Sequence, residues 1–560
     1  MADGLRLQAR NFASGGNVDL GAGAILRTSG SDGFALSGDM VMGNDARVEG
    51  LVFNDGTISA GTLATFTDRV VNSGSIRGNR RLAFGGLGGG GRVSVRDGAT
   101  DDRINVNGNL GNQTFVLDAD LGDDVGSTDT VVLASDAVIT GDIRLQFNIL
   151  DQGGRQDRDL VVIDVADNDP GNFTVSQRGL PIEGDIITYD LGRNGAGDVV
   201  IVDGLNPGIG ALAGNIVLTQ SLIGSVINRP SSPFVSGLAF EDENPCGVGV
   251  WGRAIGGAAD SSGKVFQTGN EDRNFDGQIE ADYYGLQLGG DYACFNGFYN
   301  GWDLAFGGIA GINYGSSTQP VFALDLNSPT GLSDRLTSVT DVDFTQTYGG
   351  LYVAAVRDRL AVDLQYRIEQ TEFTANNVGR NGNKGLGLND ETFTSEANTF
   401  SGAVSYAYPI ENTDLTLVPQ AGFAITNVST DTINFGNRGV VEIDDFESQT
   451  GFIGATLSRT KVGDDGVSAL NQFGTVTVYS DFADDPTSRF IPNDNSGVRS
   501  LTTENLGTYG EVSAGVNYVR ILQPGEWGSV KQFNASVRGD VRYSDRLESW
   551  GVTAQARFQF

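Results

Sequence analysis

Over its last eleven residues, WGVTAQARFQF, the chain alternates without a break. Trp550, Val552, Ala554, Ala556, Phe558 and Phe560 fall on one side, and Gly551, Thr553, Gln555, Arg557 and Gln559 on the other. A period of two marks a β-strand with one apolar and one polar face. RLAVDLQYRIE repeats it, with Leu360, Val362, Leu364, Tyr366 and Ile368 opposite Arg359, Asp363, Gln365, Arg367 and Glu369. KQFNASVRGDVRY does so again, setting Phe533, Ala535, Val537, Val541 and Tyr543 against Gln532, Asn534, Arg538, Asp540 and Arg542. About twelve such segments are predicted, near 247–257, 283–294, 300–313, 345–357, 359–373, 396–410, 414–427, 448–463, 472–481, 504–519, 531–545 and 549–560. The connections after segments one, three, five, seven and nine run to about twenty or thirty residues rich in Asn, Asp, Gly and Ser. Those after even segments are short, such as RD near 357 and ENTD at 411–414. Long loops at one end, short turns at the other and strands of membrane-crossing length predict an outer-membrane β-barrel. Its lumen face is expected to carry Asp291, Arg359, Asp363, Arg367, Arg538, Arg542 and Arg557. Unpaired charges there are costly, so these are expected to pair across the pore and to hydrogen-bond what fills it.

Upstream the pattern changes. Residues 1–204 read as strands of a few residues broken by turn clusters, as in ARVEGLVFNDGTISAGTLATFTDRVVNSGSIRGN. NDGTISAG and NSGSIRGN look like one unit repeated at about twenty residues, which predicts a parallel β-solenoid whose coils bury their inner side chains only by stacking. A β-sandwich is the alternative. LNPGIGALAGNIVLTQSLIGSVINRP then predicts a helix over 205–230, with Asn206 as N-cap, Pro207 at the first helical position, and Asn228 and Pro230 past its end. About twenty helical residues span roughly 30 Å. Asn215, Thr219, Gln220, Ser221 and Ser225 interrupt its apolar surface, so a helix sheathed by a polar-lined pore fits better than one facing lipid. The fold class is all-β: a solenoid at 1–204, a pore helix at 205–230, and a twelve-stranded antiparallel barrel at 231–560.

Composition narrows the function. The 560 residues include 81 Gly and 13 Pro, a mixture suited to many short strands and turns. A net charge of −33 excludes a basic nucleic-acid-binding face and suits a surface protein. There is no histidine, which removes every His-dependent triad and every His-ligated metal site. No catalytic residue, metal or cofactor is expected. Cys246 and Cys294 fall at the same end of the first predicted hairpin, where an oxidising compartment permits either a disulfide or two thiols. The N-terminus has no apolar leader core, and the chain is expected to have lost its leader. EDRNFDGQIEADY opens like a calcium loop at Asp272, Asn274, Asp276 and Gly277, but has Tyr283 where a bidentate Glu belongs; it reads as an acidic surface loop. Arg538-Gly539-Asp540 lies in mid-strand, and GGLGGGGR at 85–92 is not set between a strand and a helix. Neither is expected to bind a ligand.

These residues resemble a known family, the type V autotransporters of Gram-negative bacteria. GVGVWGRAIGG at 247–257 is similar to their first barrel strand and YYGLQLGGDYA at 283–293 to their second; TFSGAVSYAYPI and the terminal ARFQF resemble later strands. VVIDVADNDPGNFTVSQRGLPIEGDIITYDLGRNGAGDVVIV at 161–202 resembles the last coils of their solenoid passengers. The resemblance covers about residues 100–560 and implies an autochaperone-like end at about 110–204. It further implies a barrel in outer-membrane lipid, a passenger at the cell surface, a helix left in the pore, and a monomeric chain. The expected partners in biogenesis are periplasmic chaperones and the barrel-assembly machinery, for which Phe560, supported by Phe558, would be the recognition signal. Many members cut themselves after an asparagine of the pore helix, often at Asn-Asn. Residues 205–230 hold Asn206, Asn215 and Asn228 but no such pair, so the passenger is expected to stay attached. That passenger is expected to be an adhesin or structural surface protein with an unnamed ligand. The alternative is a secreted hydrolase or protease whose catalytic part lies upstream of residue 1.

Overall fold

A computed structural model of the chain describes residues 1–560 apart from 123–125, 152–159, 166–172, 181–185, 228–245, 269–272, 325–331, 382–384, 483–484, 494–497 and 524. Two compact units form, the first holding Met1–Gly204 and the second Leu205–Ala323 with Ser328–Phe560.

The first unit is a stack of parallel coils built on two sheets. One inner ladder runs Leu26, Val48, Phe66, Phe84, Val106 and Leu133 in register. The facing ladder runs Met40, Ile58, Ile76, Val93, Phe115 and Leu145. Each of these side chains is buried, and Phe66 stacks on Phe84 with ring centroids 5.2 Å apart. No single coil could bury such a row alone; the stack does so by repetition. A polar ladder holds one corner, where Asn54 Nδ2 donates to Asn72 Oδ1 (2.8 Å) and Asn72 Nδ2 to Gln113 Oε1 (3.1 Å). The spacing is not constant. Asn54 and Asn72 are 18 residues apart, Arg80 and Asp102 22, and Asn112 and Asp142 30. The parallel stack ends where Val199–Leu205 pairs antiparallel with Leu160–Asp164.

The second unit begins with a capped turn. Asn206 Oδ1 accepts from the Gly208 N–H at 2.9 Å, Pro207 opens a short 3-10 turn, and α1 follows over Gly210–Ile227. Asn228 and Pro230, predicted to end the helix, lie outside the described residues. No described helix is long and apolar enough to cross a membrane. Twelve antiparallel strands then close a barrel. They are β1 (Cys246–Thr268), β2 (Arg273–Tyr299), β3 (Trp302–Leu324), β4 (Leu332–Arg357), β5 (Leu360–Gly379) and β6 (Glu391–Tyr406). The rest are β7 (Leu415–Thr430), β8 (Phe446–Val462), β9 (Ser468–Asp481), β10 (Thr508–Ile521), β11 (Gln532–Tyr543) and β12 (Leu547–Gln559).

Several strands are far longer than the predicted segments. β2 has 27 residues, where about 9–11 cross a membrane. Its outward face shows why. Tyr284, Leu286, Leu288 and Tyr292 are exposed and apolar, and Tyr284 and Tyr292 stand opposite Tyr314 and Phe306 of β3 as upper and lower aromatic belts. Beyond Tyr284 the outward residues become Asp282, Glu280, Gln278 and Asp276, all exposed. The apolar band ends there, but backbone pairing continues into water. Much of what was expected to be loop is therefore strand, forming a collar beyond the lipid band. Asp276 and Gly277 lie within β2, which rules out the loop that a calcium reading needs; Asp272 is outside the described residues. Four short strands, Ile433–Asn434, Gly439–Ile443, Thr487–Pro492 and Arg499–Thr503, complete the collar, the last pairing with the far end of β1.

Three buried aspartates tie the solenoid's widening coils. Asp129 accepts from the backbone N–H groups of Asp118 (2.7 Å) and Asp102 (3.1 Å), and Asp118 Oδ2 accepts from those of Asp97 and Gly98, each at 2.8 Å. Burial pushes Asp129 up to about 8 and Asp102 up to about 6, with neighbouring carboxylates adding to the rise and backbone donors opposing it. The folded solenoid then holds protons that an unfolded aspartate releases near pH 4. Its stability is fullest below that pH and falls as pH rises through 6 and 8. Pulse proteolysis of the full chain in urea is expected to show a lower midpoint for the solenoid at pH 8.5 than at pH 5. Asp129→Asn should shrink the difference; a midpoint that is flat or climbs with pH would contradict this account.

Candidate functional site

The barrel closes where β12 meets β1, and the chemistry concentrates there. Gly249 to Ser261 pair in unbroken register with Gln559 to Leu547, and the Phe560 N–H adds a bond to the Val248 carbonyl (2.9 Å). Along β12 Trp550, Val552 and Phe560 point outward, while Ser549, Arg557 and Gln559 are buried toward the lumen. Arg557 reaches across β1 to Asp291 of β2 in a two-pronged pair of 2.5 and 2.6 Å. It passes over Gly249, where a Cβ would overlap the guanidinium. Tyr352 Oη donates to the same carboxylate (2.5 Å), and Trp251 Nε1 donates to Tyr352 Oη (2.9 Å). Trp251 in turn lies over Gly289, which likewise leaves no room for a side chain. One buried carboxylate thus links β12, β2, β4 and β1. At the same end of this hairpin Cys246 and Cys294, in register, are joined by a disulfide.

Two further clusters line the wall. Arg367 and Glu369, both almost fully buried, pair at 2.8 Å. Glu369 also accepts from Thr399 Oγ1 (2.7 Å) and Gln346 Nε2 (2.9 Å). On the other side, Glu511 accepts from Arg538 (2.6 Å) and Arg542 (3.0 Å), and Arg542 also reaches Asp540 (3.0 Å). These pairs run around the wall, within one strand or between near neighbours, rather than straight across the pore as expected. Arg538-Gly539-Asp540 is thereby committed to the lumen wall. Asp363 is buried in the wall with Oδ2 unpaired. Arg359 departs from expectation. It sits exposed in the two-residue turn after β4, where Asp358 takes a left-handed conformation (φ 53°) and reverses the chain two residues before Leu360. Of the partners that complete these clusters, the alternation had already placed Glu369 on the polar face; Glu511, Tyr352 and Trp251 were not singled out from the sequence. Only their alternation parity could have flagged them.

The start of α1 is surrounded differently from what was predicted. Its first turns meet an apolar collar, with Gly208 packed tightly on Leu386 and Val321, Gly210 on Val265 and Gly214 on Ile279, while Asn215, Thr219 and Gln220 further along are buried. Ile209, Leu212, Ala213 and Ile216 are buried in this apolar collar. Thr503 Oγ1 donates to the Gly210 carbonyl (3.3 Å). The polar wall lies nearer the short-turn end of the barrel.

The seam generates a direct test. Removing one partner of a buried ion pair strands the other at a cost of about 3–5 kcal/mol. Asp291→Ala should lower the temperature at which the folded barrel, followed by its faster migration in unboiled gels, converts to the unfolded band. Asp291→Leu combined with Arg557→Met should recover much of the loss. If Asp291→Ala converts at the unsubstituted temperature, the pair does not hold the seam.

Residues 250–520 match the family model described as Autotransporter beta-domain. No curated protein matches the chain. Among solved structures, the chain is similar to the β-domain of the Bordetella autotransporter BrkA (16% identity, 55% of this chain and 99% of that one, TM-score 0.36). It is also similar to the transport unit of AIDA-I from Escherichia coli (14%, 64% and 99%, 0.42). A third is the translocator domain of NalP from Neisseria meningitidis (12%, 62% and 99%, 0.35). At such scores these three carry no weight of their own; the family match and the closed twelve-strand ring do. The barrel of this chain is an autotransporter β-domain, which sets it in the outer membrane of a Gram-negative bacterium.

Proposed function

We propose that the barrel carries residues 1–204 to the cell surface and keeps them there, as an adhesive or structural module and not as a hydrolase. One observation supports the first half most. The chain leaves the last solenoid strand, turns on the Asn206 cap, and enters α1 inside the barrel collar, so passenger and anchor are one continuous polypeptide. The antiparallel end of the solenoid, Leu160–Asp164 with Val199–Leu205, supports reading about 110–204 as the segment that starts passenger folding. For the second half, the solenoid invests its buried Asn, Gln and Asp in coil-to-coil bonds, and the chain has no histidine to act as a general base. A repetitive side wall is the feature left for a ligand.

The test is display itself. With the full chain expressed behind a secretory leader in a Gram-negative host, an epitope inserted at the exposed turn near Gly90 should be labelled on intact cells. The product should remain full-length, and cell–cell or cell–surface attachment should rise several-fold. Labelling only after lysis would end the display reading, and labelling with unchanged attachment would end the adhesive one.

The same reading makes Phe560 the address read by the barrel-assembly machinery. Phe560 projects outward at the seam, and Phe558 packs on Phe533 with centroids 5.2 Å apart. Deleting Phe560 removes no lumen contact. It should nevertheless cut the amount of folded barrel in outer-membrane fractions, while barrels that do assemble convert at the unsubstituted temperature. Unchanged yields would show that the terminal residue is not read.

A further inference from the structure

We propose that a trough on the lipid-facing side of β9, β10 and β11 binds one zwitterionic phospholipid of the periplasmic leaflet, its acyl chain in the trough and its headgroup at Arg459. The register builds the trough. Gly474, Ala514 and Gly539 stand side by side on the three strands and form its floor. Two residues toward the outer belt, Val476, Val512 and Val541 form one ridge, all strongly exposed and leading to Trp550 on β12. Two residues the other way, Gln472, Val516 and Val537 form the second ridge. Leu457 closes one end of the floor and Val552 the other. The trough is open on its lipid side and holds about 580 Å³ along Leu457, Gly474, Ala514, Val516, Val537 and Gly539, within the roughly 300–1,000 Å³ of ligand-sized sites. Three strands spaced about 4.8 Å apart make the floor about 10 Å long. That floor suits a flexible hydrocarbon chain and is too short to seat a second barrel wall.

The charges beside the trough choose the headgroup. Arg459, opposite Gln472, lines the periplasmic end. It pairs with Asp414 at 2.5 Å while both side chains remain more than half exposed. Two residues on, Lys461 is exposed and has no partner among the described residues. Cations here could hold a phosphate, and Asp414 an ammonium, so the end of the trough offers both signs to one headgroup. Asp464 and Asp465 in the next turn would repel a headgroup of net negative charge. Phosphatidylethanolamine has the required chemistry and phosphatidylglycerol does not.

The full chain, purified in mild detergent, would be mixed with phosphatidylethanolamine or phosphatidylglycerol of identical acyl chains and analysed by native mass spectrometry. One phosphatidylethanolamine should be retained about tenfold more than phosphatidylglycerol. Ala514→Leu fills the floor from outside and touches nothing in the lumen; it should lose that lipid about tenfold while its gel-conversion temperature stays unchanged, which separates lost binding from misfolding. Arg459→Gln should erase the preference between the two lipids. Equal retention by Ala514→Leu, or no headgroup preference in the unsubstituted chain, overturns the proposal. So does a dimeric mass abolished by Ala514→Leu, which would make a second copy the occupant.

Discussion

Everything in the second unit depends on the pairing of the last strand with the first. Hydrocarbon offers no water to an unpaired N–H or C=O, so a sheet with an open edge cannot exist there. The β12–β1 ladder removes that edge. Backbone bonds alone do not select its register, because a slip of one residue would trade every lipid-facing side chain for a lumen-facing one. Arg557, Asp291 and Gly249 supply the selection. The guanidinium crosses a strand that has no side chain at the crossing point and meets a carboxylate two strands away. Tyr352 and Trp251 then brace the carboxylate from β4 and β1. In any other register Arg557 would stand buried without its partner.

The collar solves a second problem. If the barrel passes residues 1–204 as proposed, the finished barrel must still not leave an open pore. The lumen within the lipid band is lined by ion pairs, which suit water and a passing polar chain. The start of α1 instead sits among Val265, Ile279, Val321 and Leu386, beyond the lipid band marked by Tyr284 and Tyr314. Burial of apolar surface is non-directional, so it can seal around a helix without demanding a single rotational setting. Glycines at 208, 210 and 214 bring helix and wall into contact.

Period-two alternation made the barrel legible in the sequence, because each lipid-facing residue must be apolar and each lumen-facing one need not be. All twelve strands were visible in this way; their lengths were not. Once β2 passes Tyr284 its outward residues are Asp282, Glu280, Gln278 and Asp276, and polar alternation looks like loop when lipid no longer imposes the contrast. Arg359 had the right parity for the lumen but stands past the strand end, a matter of turn geometry. The solenoid repeat showed as a period near twenty, although coils widen toward 30 residues as the aspartate-tied turns grow. Arg367 and Glu369, two residues apart on one strand, shared a face that the alternation made legible, whereas Glu511 meets Arg538 and Arg542 only through the register of two strands and could not be read.

The charge of −33 acquires a position once the bands are known. Between its aromatic belts the outward face of β2 carries no charge. Just above them Glu548, Asp260 and Glu280 stand side by side on β12, β1 and β2, and all three are exposed. Like charges placed directly opposite one another destabilise a sheet, so the row makes no sense as a stabilising device. It makes sense as a limit. Sinking the barrel by one turn of the pleat would drag three carboxylates into hydrocarbon, at a cost far above their mutual repulsion in water. Raising it would expose the Tyr292 and Phe306 belt at the other interface. The depth of the barrel is therefore set by two opposed penalties, and the acidic residues that say little about activity fix where the membrane ends.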